Sequence, residues 1–262
     1  MKTKLFISSV IVFLLCACQG TQSDSLVSND ASGIMGGDTV SSRNAIGKSL
    51  VFLYDNVTHN FCTGTLIHPN LVLTAAHCVG DGYRNIQVLF TTDFIDDDPV
   101  TRPVRATLAH RLYNKAASLN DLAIVSFYGD LPDGYEPTPV ATNSINASVG
   151  KTISVVGYGS TSGLAGNPGS GRLREVDVKI TGQSFDRMQF RVDQASGRGI
   201  CHGDSGGPAF MKYKSRYYLV GVTSSIVWTK AKQSDLCRHA SVYMNVNSYL
   251  PWILENSKKL LN

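Results

Sequence analysis

GRGICHGDSGGP, residues 197–208, carries the reading of this chain. It sets a carboxylate, Asp204, directly beside a hydroxyl, Ser205, with glycines on both sides. A serine hydroxyl is a poor nucleophile near neutral pH. It needs a histidine to accept its proton, and the histidine needs a buried carboxylate to fix its tautomer and stabilise its charged form. Two other stretches supply those groups: TAAHC at 74–78 brings His77, and NDLAIV at 120–125 brings Asp121. Taken singly, His77 is an ordinary residue at the end of an apolar run and Asp121 an ordinary turn cap. Together, in the order His, Asp, Ser, they point to nucleophilic attack by an activated serine.

The surrounding sequence reads as β structure. Short apolar or alternating runs recur between turn residues: SLVFLYD, TGTLIHPNLVLTAA, NIQVLFT, VRATLAH and DLAIVSF form a first set. TISVVGYG, LREVDVKIT, MQFRVD, GGPAFMKY, YYLVGVTSS and SVYMNV form a second. Strands at such spacing predict an all-β sandwich or a pair of barrels. The Pro- and Gly-containing stretch 131–150 joins the two sets. Only the tail, SYLPWILENSKKLL, has helical spacing, which puts Leu250, Ile253 and Leu254 on one face.

Composition excludes several other classes. With 262 residues, 43% hydrophobic and 17% charged, the chain is neither disordered nor fibrous. The net charge of +4 is mild, and lysines and arginines are scattered without a basic run. Nucleic acid is therefore not an expected partner.

The N-terminus reads as a leader. Lys2 and Lys4 precede LFISSVIVFLL, a run suited to a signal-peptide core and too short to span a membrane. It ends in LCAC, with small Ala17 before Cys18, and so resembles a bacterial lipoprotein signal in which Cys18 is lipidated. Ordinary cleavage and secretion is the simpler alternative. The expectation is a signal peptide over 1–17, a polar tether over 18–33, export, and membrane contact only through the lipid.

Discounting Cys16 and Cys18 leaves Cys62, Cys78, Cys201 and Cys237. Four cysteines in an exported chain imply two disulfides, with three possible connectivities. The rival, a metal site, lacks any C-x-x-C pair, and His77, His202 and His239 complete no zinc pattern. The acids of TTDFIDDDP, 91–99, would suit a hard cation, but a solvated loop is the commoner explanation. No metal and no cofactor is expected.

From IMGGD at residue 34 to the terminal helix, the chain resembles the trypsin–chymotrypsin family of serine peptidases; TAAHC and GDSGGP both stand without substitution. The resemblance implies an all-β fold of two packed antiparallel β-barrels with a short C-terminal helix, filling residues 34–262. It implies a monomeric endopeptidase that hydrolyses protein or peptide substrates through an acyl-enzyme. His77 would be the general base and then acid, Asp121 its orienter, Ser205 the nucleophile and Ser224 a support for Asp121. The N–H groups of Gly203 and Ser205 would form the oxyanion hole. The implied bridges are Cys62–Cys78 and Cys201–Cys237.

The same resemblance implies a precursor. Cleavage before Ile34 would free an amino group that inserts and pairs with Asp204. Gly33 stands where relatives carry a basic residue, so the implied activating protease has a different specificity. The other class of reading is a binding protein on this scaffold that has lost catalysis; the intact His77, Asp121, Ser205, Gly203 and Asp204 argue against it.

Specificity rests on Gly199, six positions before the serine, where the resemblance places the floor of the substrate pocket. Neither Gly199 nor Ile200 attracts Lys or Arg. Ile226 and Ser241 would form the walls, and β-branched Ile226 narrows the slot toward a small or medium apolar residue. Ser225 departs from a family tryptophan, and Arg198 and His202 flank the segment, which keeps an acidic substrate residue as the alternative.

Overall fold

A computed structural model describes residues 34–80, 84–184, 186–227 and 235–262. The leader, the tether and Cys18 lie outside the described residues.

Six strands close the first barrel: β2 (Leu50–Asp55), β3 (Phe61–His68), β4 (Leu71–Thr74), β5 (Ile86–Phe90), β6 (Val100–Ala109) and β7 (Ala123–Phe127). Their order around it is β2-β3-β4-β7-β6-β5. A second set follows: β8 (Thr152–Gly157), β9 (Arg174–Gln183), β10 (Gln189–Asp193), β11 (Pro208–Tyr213), β12 (Arg216–Val227) and β13 (Ala240–Asn245). These run in the order β9-β10-β13-β12-β11-β8, and pairing of β8 with β9 closes a second ring. The short β1 (Asp38–Thr39) adds to the outside of β9. Every pairing between named strands is antiparallel, and the all-β two-barrel expectation holds.

The strand sequences explain how the barrels meet. Successive side chains of a strand point to opposite faces. Val51 and Leu53 of β2, Val72 of β4, and Ala123 and Val125 of β7 fill the first barrel. Their neighbours Leu50, Phe52, Leu71, Leu73 and Ile124 point outward instead. There they join Val156, Phe210, Leu219 and Val222 from the second set, whose neighbours Val155, Ala209 and Val220 fill the second barrel. Both faces of these strands are thus buried, and they read as unbroken apolar runs rather than as clean alternations. The site lies along this seam.

The tail forms α1 (Val246–Leu261), starting directly after β13. Its buried face is Val246, Tyr249, Ile253 and Asn256, at helical spacing. The sequence-based face needs correction: Ile253 belongs to it, but Leu250 is only partly buried and Leu254 is exposed. Tyr249 outcompetes the leucines because its ring packs in the inter-barrel core while its hydroxyl finds a partner.

Candidate active site

His77 sits in a single 3-10 turn, Ala76–Cys78, that ends β4. A disulfide from Cys62 on β3 to Cys78 pins this turn. Asp121 precedes β7 and is 3% exposed. Its Oδ1 accepts the His77 backbone N–H at 3.0 Å, and its Oδ2 lies 2.8 Å from His77 Nδ1. The Ser224 hydroxyl donates to the same Oδ2 at 2.6 Å. Burial pushes the Asp121 carboxyl up, but the hydrogen bond and charge of His77, with the Ser224 bond, outweigh it and hold the group below its ordinary value. The result is a carboxylate that keeps a proton on His77 Nδ1 and leaves Nε2 to act as an acceptor.

Ser205 lies across the seam, in the turn before β11. Its carbonyl accepts the Thr63 N–H at 2.9 Å, and Thr63 Oγ1 donates to the Gly203 carbonyl at 3.1 Å. A first-barrel strand thereby fixes a second-barrel turn. Ser205 and His77 line one cavity of about 520 Å³. No hydrogen bond joins their side chains among the described contacts. Gly203 has φ of +96°, and a Cβ there would lie 2.2 Å from Phe61 Cε2. Only glycine fits this approach. Neither the Gly203 nor the Ser205 N–H meets an acceptor among the described residues, so two donors stand ready beside the hydroxyl.

Asp204 turns the other way. It is wholly buried, with Oδ1 accepting the Gly159 N–H at 2.8 Å and Oδ2 the Cys201 N–H at 2.7 Å. A Cβ on Gly157 would stand 2.2 Å from Asp204 Oδ1 and one on Gly159 2.5 Å from Asp204 Cγ, which explains both glycines of GYG. Burial drives the carboxyl up to about 7, against the hydrogen bonds from Cys201 and Gly159 and the positive charge of Arg174. Ile34 is also wholly buried, among Phe190, Ile200 and Tyr243 of the second-barrel core. The next residue, Met35, accepts a hydrogen bond from the Gly199 N–H at 3.1 Å.

The pocket residues divide. Gly199 is buried, and behind it lies the side chain of Gln194, whose Oε1 would be 2.3 Å from a Cβ at Gly199. Gln194 accepts from Ile200 N–H and donates to the carbonyls of Ile200 and Cys237. Ile200 and Ser241, read from the sequence as pocket residues, both have buried side chains. Ile200 is 2% exposed and packs in the barrel core, where an apolar side chain gains most. Ser241 is 0% exposed, with its hydroxyl donating to the Tyr243 hydroxyl. Ile226 alone of the four is partly exposed, packed against Met35, Cys201 and Cys237.

Three positioning residues were missed. Thr63 and Gln194 bond backbone groups of distant segments, and such partners leave no composition signal. Tyr249 reaches from α1 to bond Asn120 Oδ1 at 3.0 Å, bracing the turn that carries Asp121. Asn120 has φ of +54°, and an Asn-Asp turn before an apolar strand is the only hint the sequence gives.

The cysteines pair as Cys62–Cys78 and Cys201–Cys237, with Cα atoms 6.1 and 5.3 Å apart. Each pair has a histidine close by, His77 or His202, but the sulfurs are bonded to one another and offer no thiolate. In the acidic loop, Asp93 and Asp96 pair with Arg172, at 2.9 Å for Asp93, and Asp97 accepts from Thr91 Oγ1. The loop is closed by an arginine.

Comparison with known proteins places these residues in context. The family described as Trypsin matches residues 34–253. Brachyurin of Leptuca pugilator is 29% identical over 212 residues, 74% of this chain and 86% of that protein. Alkaline C trypsin of Manduca sexta is 27% identical, covering 77% and 81%, and trypsin delta of Drosophila melanogaster 28%, covering 92% and 95%. These are animal proteins, and they lend no support to the bacterial lipoprotein signal read from residues 1–18. A match that begins at Ile34 and ends within α1 spans both barrels and the seam between them, and this chain belongs to the trypsin family.

Proposed function

We propose that the chain is a serine endopeptidase. The observation that carries this is the run of hydrogen bonds Ser224–Asp121–His77 ending at the cavity that Ser205 also lines. Ser205 Oγ attacks the peptide carbonyl as its proton passes to His77 Nε2, and Asp121 stabilises the resulting imidazolium. The N–H groups of Gly203 and Ser205 take up the oxyanion. His77 then protonates the departing amine, and water releases the acyl group by the reverse sequence.

The enzyme acts on protein or peptide chains as a monomer, after export; two disulfides suit an oxidising compartment. The precursor is cut between Gly33 and Ile34 by a protease that does not require a basic residue. The new Ile34 ammonium pairs with Asp204, whose deep burial calls for a cation. A lipid on Cys18 rests on the sequence alone; because Cys62, Cys78, Cys201 and Cys237 pair with one another, cutting would release the domain from it.

The residue before the scissile bond is small or medium and apolar, a reading supported by β-branched Ile226, which is partly exposed and packs against Met35 and the Cys201–Cys237 bridge. Matched peptides differing only at that residue test this. The chain should favour Ala, Val or Leu, and Ile226→Ala should raise kcat/KM for Phe about tenfold relative to Ala. Preference for Lys, Arg or Glu in the unmodified enzyme would refute the pocket while leaving the hydrolytic reading intact.

A further inference from the structure

The cavity shared by Ser205 and His77 extends over the first barrel, away from Gly199 and Ile226. Apolar Leu53, Phe61, Val79 and Ile86 line it together with polar Thr58, Asn60 and Asn85, and the partly exposed Asp55 at its rim is the only carboxylate among the described lining residues. Asp55 ends β2, where the chain turns through residues 56–60 toward β3. The turn uses one carboxylate oxygen: Oδ1 accepts the N–H groups of Val57 and Thr58 at 2.9 and 3.0 Å. The Thr58 side chain and the nearby His59 also act on this carboxylate.

We infer that this cavity holds the leaving-group side of the substrate and that Asp55 selects a lysine or arginine there, at one of the first two positions after the scissile bond. This rests on the endopeptidase reading. The direction follows from the chemistry: the departing amine takes its proton from His77, so the chain that leaves must lie on the His77 side of Ser205. A long basic side chain matches both parts of the surface, its methylenes over Phe61 and Ile86 and its charged head at the rim. The hydrogen bonds from Thr58 and Val57 hold the Asp55 carboxyl below its ordinary value, so the rim stays anionic.

The test uses peptides with a constant acyl side and Lys, Ala or Glu at each of the two positions after the bond. Within one enzyme preparation, kcat/KM at one of these positions should be about fivefold higher for Lys than for Ala, and more than about tenfold higher than for Glu. Added salt should shrink both ratios. Asp55→Asn keeps the Oδ1 acceptor that the turn needs and removes the charge, and it should bring the Lys-to-Ala ratio close to one. Asp55→Lys should favour Glu. Equal cleavage of the Lys and Glu peptides by the unmodified enzyme, or a Lys preference that survives in Asp55→Asn, would overturn the inference. Failure to cut any peptide, Ala included, would overturn the endopeptidase reading and the inference with it.

Discussion

Replacing Ser205 with alanine is expected to lower peptide turnover by about four to six orders of magnitude, and adding His77→Ala to that variant should cost little more. The reason is the division of labour in the site. Without Oγ there is no acyl-enzyme, so the base has no proton to accept. Without His77, the hydroxyl stays protonated and the leaving amine unprotonated. Each single change removes the same pathway, and the losses do not add. Residual activity would come from the Gly203 and Ser205 N–H groups, which neither change removes. Asp121→Asn should cost somewhat less, about four orders, because His77 would then settle in the wrong tautomer while its position is kept. Rates for the single and double variants on one peptide check this. Near-native turnover by Ser205→Ala would exclude the serine as nucleophile.

The second large effect concerns Asp204. In the uncut chain the Ile34 nitrogen is an amide, and burial lifts the Asp204 carboxyl from 3.8 to about 7. A carboxyl raised in the folded state stabilises fully at pH below its unfolded value, and that contribution is lost as pH rises through the folded value. For a fully buried group the loss between about pH 4 and pH 8 is on the order of 4 kcal/mol. After cutting, the Ile34 ammonium supplies the missing charge, and the loss should largely vanish. Thermal unfolding of Ser205→Ala protein, uncut and cut, should therefore diverge as pH rises, with the uncut form the less stable at pH 8. Asp204→Asn should flatten the profile of the uncut form and cripple the cut enzyme, because the inserted ammonium would have no charge partner. N-terminal sequencing of the active form should read IMGGD. Profiles that run parallel would mean that Asp204 does not answer to the new N-terminus.

Much of this was legible in the sequence because the groups concerned are chemically distinctive and locally placed. TAAHC and GDSGGP put His77 and Ser205 beside the cysteines that pin their turns, and the strand runs between them announce an all-β sandwich or barrel pair, which the family resemblance narrows to two barrels. Other features are products of tertiary packing. Ile200 stands in a stretch that the family resemblance reads as pocket, yet a buried barrel interior claims its side chain, and the buried Ser241 hydroxyl bonds Tyr243. Leu254 has helical spacing but faces solvent, since the helix is rotated by the anchoring of Tyr249 on Asn120. Thr63, which couples the two barrels through backbone groups, resembles any strand threonine. The acidic loop shows the same limit from the other side: its partner, Arg172, is distant in sequence.

The central claim is that Ser205 is a hydroxyl made nucleophilic by His77 and Asp121. Treating the cut protein with a fluorophosphonate and locating the adduct by peptide mass spectrometry tests it most directly. One adduct per chain is expected, on Oγ of Ser205 within GDSGGP, and it should fall to a trace in His77→Ala. An unlabelled protein, or label on any other residue at the same rate, would contradict the account.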